Sequence, residues 1–145
     1  MTRIIGGSAG GRRLETPRGE ATRPTSDRVR EALFSAVESW CGTLSGLRVL
    51  DLYAGSGALG LEACSRGADH ALLVERDRRT AAVITANART LGLPGARVVA
   101  ASVGTVLASA PDRPYDLVLA DPPYPLPAEE VDADLEALVA HGWLA

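Results

Sequence analysis

The sequence predicts an α/β domain built on a doubly wound sheet that is parallel at its core, and three observations carry that prediction. From residue 47 onward, short aliphatic runs alternate with helical stretches, the pattern of βαβ units. The first of these runs, Leu47 to Leu52, leads into a glycine turn that opens a helix, the arrangement that places ligands at the carboxyl ends of parallel strands. The chain has 145 residues, 46% of them hydrophobic, which suits one domain and leaves too little for two.

The elements follow in order. Arg3-Ile4-Ile5 and Arg12-Arg13-Leu14-Glu15 flank a glycine-rich connection and predict a basic, mobile hairpin. Pro17 and Pro24 bracket a loop, after which Thr25 or Ser26 caps a helix with Val29, Leu33, Ala36, Val37 and Trp40 as its core-facing stripe. After Leu47 to Leu52 come a helix from Ala58 to Arg66 stopped by Gly67, and a strand from Ala71 to Glu75. A helix from Asp77 to Leu91 then ends at Gly92. A strand from Arg97 to Ala101, a helical piece from Val103 to Ala110 and a buried strand from Tyr115 to Ala120 complete the alternation. Ala128 to His141 is the last helix, capped by Gly142. The expected division is an N-terminal basic extension at 1–24 and a catalytic-type domain at 25–145. Trp40 and Trp143 are expected to pack, Cys41 and Cys64 to act as small hydrophobes, and His70 and His141 to have no catalytic role.

Two cysteines without a CxxC spacing and only two histidines argue against a disulfide framework or a structural zinc site. There is no apolar run long enough to span a bilayer and no signal-like segment at the start. The expected location is therefore the cytoplasm, with a monomer as the default state. Net charge is −3, yet all 15 basic residues are arginine and they are unevenly spread. Residues 1–30 carry seven arginines against three acids, while residues 31–145 carry eight against fifteen. The planar guanidinium fork suits phosphate, so a basic leader on an acidic body suggests a nucleic-acid contact beside a small-molecule site; a merely solvated tail is the alternative.

Val49-Leu50-Asp51-Leu52-Tyr53-Ala54-Gly55-Ser56-Gly57-Ala58-Leu59-Gly60 contains G-x-G-x-x-G, which by itself fits a dinucleotide site with Glu75 as the ribose acid. Asp51 argues otherwise, because a carboxylate four residues before Gly55 would repel a pyrophosphate and attract a cation. S-adenosylmethionine carries an ammonium, a sulfonium and a ribose but no phosphate, and Asp51, the Gly55 to Gly57 backbone and Glu75 form a consistent cradle for it. A nucleotide cofactor and a purely structural turn are the alternatives. Tyr53 either touches that cofactor or simply ends the strand.

Asp121-Pro122-Pro123-Tyr124 ends the fourth strand on the same sheet edge. Such a motif suits methylation of an exocyclic amine on a planar base, whose lone pair is delocalised into the ring. The Asp121 carboxylate and the Pro122 carbonyl can each accept one N–H and draw the nitrogen toward tetrahedral geometry, and Tyr124 offers an aromatic face for the base. The alternative is a proline-rich turn with a surface tyrosine.

Taken together, Ile4-Ile5-Gly6-Gly7, Arg23-Pro24-Thr25-Ser26-Asp27-Arg28-Val29-Arg30-Glu31, Leu50 to Gly57 and Asp121 to Tyr124 resemble the RsmD-type 16S rRNA guanine-N2 methyltransferases. The resemblance covers nearly the whole chain and implies a Rossmann-like class I methyltransferase sheet. It implies methyl transfer from S-adenosylmethionine to a guanine N2 in 16S rRNA of a partly assembled small-subunit particle, with no metal and no membrane. Asp51, Ala54, Gly55, Gly57, Glu75, Arg76 and Ser102 then map to the cofactor, Ser102 standing where many relatives of this fold place an acid near the adenine. Asp121, Pro122 and Tyr124 map to the target base, and Arg3, Arg12, Arg13, Arg23, Arg28 and Arg30 to RNA phosphates. The fold class also implies three strands after the fourth, whereas Gly142 to Ala145 stand where the fifth would begin, so the C-terminal strands are expected to be missing and the fourth strand to be an exposed edge. Two other functions fit parts of the pattern: a DNA amino-methyltransferase acting on adenine N6 or cytosine N4, and a non-catalytic RNA-binding assembly factor. The small size disfavours the first, and the presence of both Asp51 and Asp121 disfavours the second.

Overall fold

The computed structural model describes residues 2–16, 26–122 and 127–145. Its centre is a four-stranded sheet, β1 (Arg48–Leu52), β2 (His70–Glu75), β3 (Ala96–Ala100) and β4 (Leu117–Ala120), in the order β3-β2-β1-β4 with every pair parallel. Side chains alternate across a strand, so β1 sends Val49 into one apolar cluster and Leu50 and Leu52 into the other. The first cluster joins the sheet to α1 (Asp27–Cys41), α2 (Ala58–Ser65) and α3 (Arg78–Thr90) through Phe34, Leu61 and Ile84. The second joins it to α4 (Val103–Leu107) and α5 (Ala128–Ala140) through Leu107, Leu138 and Trp143. Helices on both faces make the sheet doubly wound, as predicted, and the element boundaries fall close to those read from the sequence.

Local chemistry explains the ends of the helices. The Ser26 hydroxyl accepts from the Val29 amide and caps α1, and the Asp77 carboxylate accepts from the Arg79 and Thr80 amides and caps α3. Gly67 and Gly92 take positive φ just beyond α2 and α3, as a helix stop requires.

The N-terminal hairpin forms as expected, with Arg3 bridging Arg13 in antiparallel sense around a 3-10 turn at Gly7–Ala9. It is docked on the domain, however, which corrects the expectation of a mobile leader. Ile4, Ala9 and Leu14 are buried in the first cluster. The amides of Ile5 and Gly6 each donate to the Glu62 carboxylate at 2.9 Å, and the Asn87 side chain both donates to and accepts from the Glu15 backbone. The approach at Gly7 is so close that a Cβ there would lie 1.8 Å from the Ser65 carbonyl oxygen.

The α1 stripe also differs from expectation. Phe34 and Arg30 are its fully buried residues, while Val29 is 53% and Trp40 80% exposed. Burial of Arg30 rotates the inward face, because its guanidinium is compensated by Asp27 at 2.9 Å, by Glu62 at 3.9 Å and by the Arg3 carbonyl. Trp143 packs as expected, stacking on Tyr115 and donating its indole N–H to the Ser109 carbonyl. At the chain's last residues Leu144 pairs with Tyr115 in parallel sense, through Tyr115 N–H to Trp143 O at 2.7 Å and Ala145 N–H to Tyr115 O at 2.9 Å. Strand pairing thus begins just ahead of β4, at the position where the sequence places the start of a fifth strand.

Candidate active site

The carboxyl ends of the parallel strands bring three acids to one edge of the sheet. Asp51 lies in register with Leu73 of β2 and Leu119 of β4, Glu75 ends β2, and Asp121 directly follows β4. Asp51 is 1% exposed and one of its oxygens accepts from the Gly60 amide at 2.9 Å. Burial pushes its pKa up to about 7; the Gly60 hydrogen bond opposes the rise, and the negative charges of Asp121 and Glu75 add to it. This edge is therefore poised for a positive charge.

The turn from β1 into α2 is shaped by backbone that favours glycine. Gly55 and Gly57 take φ of 58° and 83°, and a Cβ on Gly57 would lie 2.8 Å from the Ile84 side chain. The loop is held from β2: the Ala54 amide donates to the Val74 carbonyl, and the Glu75 carboxylate accepts from the Gly55 and Asp77 amides, each at 2.9 Å. Glu75 thus positions the glycine loop directly, with lone pairs left over for a ligand hydroxyl. Arg76 is exposed beside it.

Ser102 follows β3 closely, where its hydroxyl caps α4 by accepting from the Thr105 amide and bonds the Thr105 hydroxyl at 2.7 Å. Asp121 and Pro122 are exposed at the mouth of this edge. Tyr124 and Arg23 lie outside the described residues. Among those described, no group of three or more His, Cys, Asp or Glu residues is arranged to hold a metal ion, and no helix is long and apolar enough to cross a membrane.

Of the arginines assigned to phosphate contact, Arg3, Arg12, Arg13 and Arg28 are exposed. Arg3 pairs with Asp27, and Arg12 donates to the Thr90 carbonyl. Arg30 must be removed from that group, because it is fully buried and its guanidinium serves the joint between leader, α1 and α2.

Sequence reasoning missed two features. Glu62 is fully buried and gathers the Ile5 and Gly6 amides together with Arg66, which also reaches Glu38 and Glu31. A single acid inside the otherwise apolar run of α2 was the available signal. Tyr53, at φ 56°, donates its hydroxyl to Asp134 of α5 at 2.6 Å. Nothing in the acid-rich α5 segment distinguishes Asp134 from its neighbours.

A family profile described as Conserved hypothetical protein 95 matches residues 2–145. The chain is 42% identical over 144 residues to the ribosomal RNA small subunit methyltransferase D of Escherichia coli K12, a match that covers 99% of this chain and 69% of that protein. Among solved structures, "Putative methyltransferase yhhF from Escherichia coli" superposes with a TM-score of 0.87 at 41% identity, covering 99% of this chain and 75% of that one. A hypothetical protein of Thermus thermophilus superposes with a TM-score of 0.84 at 36% identity, covering 100% of this chain and 81% of that one.

Proposed function

The chain belongs to the Conserved hypothetical protein 95 family, the RsmD family of methyltransferases, and from that membership we propose that it methylates the exocyclic N2 amine of a guanine in 16S ribosomal RNA, using S-adenosylmethionine. Its setting in this reading is the cytoplasm, where it acts as a monomer on a partly assembled small-subunit particle. The observation that carries the reading is the acid cluster of Asp51, Glu75 and Asp121 around a glycine loop, which suits a cationic cofactor and repels a pyrophosphate.

Bound S-adenosylmethionine would supply a methyl group on an electron-poor sulfonium. Asp51, the Gly55 to Gly57 backbone, Ala54 and Glu75 would hold it, with Asp51 offering a negative charge to its cationic groups and Glu75 acceptor capacity to its ribose. Arg76 and Ser102 flank these residues at the ends of β2 and β3. On the base side, Asp121 would accept one N–H of the target amine and the Pro122 carbonyl the other, drawing the nitrogen toward tetrahedral geometry and localising its lone pair. Transfer would replace one N–H of the amine by N–CH3 and release S-adenosylhomocysteine, and the displaced proton would pass to the Asp121 carboxylate and from there to solvent. Tyr124 stacks on the guanine, and such contacts are worth about 1–3 kcal/mol per base. The guanine must be unpaired or flipped out of its helix to reach this edge. Arg3, Arg12, Arg13, Arg23 and Arg28, in the 1–24 extension and just beyond it, hold phosphates of the flanking RNA.

The test is a competition among polymers. Labelled S-adenosylmethionine is offered with unmodified small-subunit particles, naked 16S rRNA and duplex DNA. The reading predicts label in RNA. Label in DNA would favour an amino-methyltransferase of the DNA type, and RNA binding without any transfer would favour an assembly factor.

A further inference from the structure

The charge distribution of the body points to an interface wider than the leader. Residues 76–97 carry five arginines, Arg76, Arg78, Arg79, Arg89 and Arg97, against the single acid Asp77. On either side the balance is reversed, with two arginines against six acids in 31–75 and one against eight in 98–145. The two arginines of 31–75, Arg48 and Arg66, are ion-paired. All five of the middle segment are exposed, and among the described residues none of them forms an ion pair.

The fold puts three of these arginines on one side with the leader. Arg78 and Arg79 open α3 and Arg89 lies in its last turn, a span of about 16 Å at 1.5 Å per residue. Arg97, on the edge strand β3, is in register with Leu72 and so projects from the opposite face of the sheet, toward the second cluster. The leader lies along the same helix, with Glu15 bonded to Asn87 and the Arg12 guanidinium on the Thr90 carbonyl at 3.1 Å, next in sequence to Arg89. Between the end of α3 and β3 runs a groove of about 390 Å³ walled by Ala88, Leu93, Pro94 and Val98, with Arg89 as the charged residue on its rim.

We propose that the leader and the outer side of α3 form one continuous RNA-binding face, in which Arg78, Arg79 and Arg89 contact backbone phosphates and the groove beside Arg89 receives an unpaired nucleotide. Guanidinium groups without acidic partners, spread along a helix, fit a polyanion, and an apolar trough beside them fits the face of a base or ribose. The inference rests on the rRNA reading above and names the surface that the substrate occupies away from the reacting guanine.

The test uses Arg78→Ala/Arg79→Ala and Arg89→Ala, with Arg113→Ala on the acid-rich side as a control. Binding to naked 16S rRNA is measured from low to moderate salt, and methyl transfer is followed alongside. The slope of log K against log salt should fall by about 0.7–0.9 for each phosphate that an arginine no longer neutralises. For Arg89→Ala, KM for RNA should rise while kcat and S-adenosylhomocysteine affinity stay at the parent values. Parent slopes in Arg78→Ala/Arg79→Ala and Arg89→Ala alike, or an equal fall in Arg113→Ala, would overturn the proposal while leaving the rRNA reading intact. Weakened binding to assembled particles with an unchanged slope on naked RNA would put a protein on this face, and would equally overturn it. Failure of the parent chain to methylate any RNA would remove the rRNA reading, and this proposal with it.

Discussion

The hydroxyl of Tyr53 donates to the Asp134 carboxylate across 2.6 Å, joining the glycine loop after β1 to the helix that follows the Asp121 motif. Asp134 is only 6% exposed, and burial together with this bond pushes the Tyr53 pKa upward, so the hydroxyl keeps its proton as the donor. Tyr53→Phe leaves a buried carboxylate without that donor, and hydrogen bonds to charged groups contribute about 1.5–3 kcal/mol. A stability loss in that range, read as a lower urea midpoint at constant slope, is expected. S-adenosylhomocysteine should bind more weakly as well. Asp134→Asn retains an acceptor and should lose less on both counts.

Asp51 gives the domain a distinctive response to pH. Its folded-state pKa of about 7 lies above the ordinary 3.8, so the native state holds this proton more tightly than the unfolded chain does. The contribution to stability is full below about pH 4, declines as pH rises toward 7, and is level above that. Asp51→Asn should flatten this decline in urea titrations run between pH 4 and 8. Cationic S-adenosylmethionine favours the carboxylate form, so its affinity for the parent chain should climb as pH rises through 7. A pH-independent affinity would separate Asp51 from the cofactor.

Glu62 ties the leader to α2, and its removal should release both. Glu62→Ala leaves Arg30 fully buried and Arg66 nearly so, each deprived of the carboxylate that α2 supplies. Breaking a buried pair in this way costs about 3–5 kcal/mol. Hydrogen exchange at the Ile5 and Gly6 amides should accelerate together with the drop in urea midpoint. Parent-level protection at those amides would mean that another contact holds the leader.

Gly60 sits where β2 and the acid cluster meet α2. A Cβ there would lie 2.6 Å from Leu73 Cδ2 and 3.1 Å from the Asp51 carboxylate. Gly60→Ala is therefore expected to cost about 1–3 kcal/mol through overpacking, and to weaken cofactor binding because Asp51 must shift. Calorimetric melting and S-adenosylhomocysteine titration measure the two effects separately.

The alternation of strands and helices was legible because hydrophobic period and glycine stops are local signals, and the placing of Asp51 and Asp121 at one sheet edge was legible because parallel strands deliver their carboxyl ends together. The α1 face was misread for a physical reason. Hydropathy assigns arginine to water, and only partners such as Glu62 and the Arg3 carbonyl, distant in sequence, make burial of Arg30 tolerable. The same holds for the leader, whose glycines suggested freedom but at Gly7 serve close approach to α2. Tyr53 and Asp134 meet across 81 residues, a pairing that no periodic pattern encodes. The basic segment 76–97 was readable from charge alone and was masked by the acidic total of the body.

The most direct measurement is single-turnover transfer of labelled methyl from S-adenosylmethionine to unmodified small-subunit RNA, followed by nucleoside analysis, for the parent chain and Asp121→Ala, with S-adenosylhomocysteine affinity measured for both. The predicted result is N2-methylguanosine from the parent, and loss of product with cofactor affinity retained in Asp121→Ala. Label on another base or atom, or an Asp121→Ala variant that still forms N2-methylguanosine at the parent rate, would contradict it.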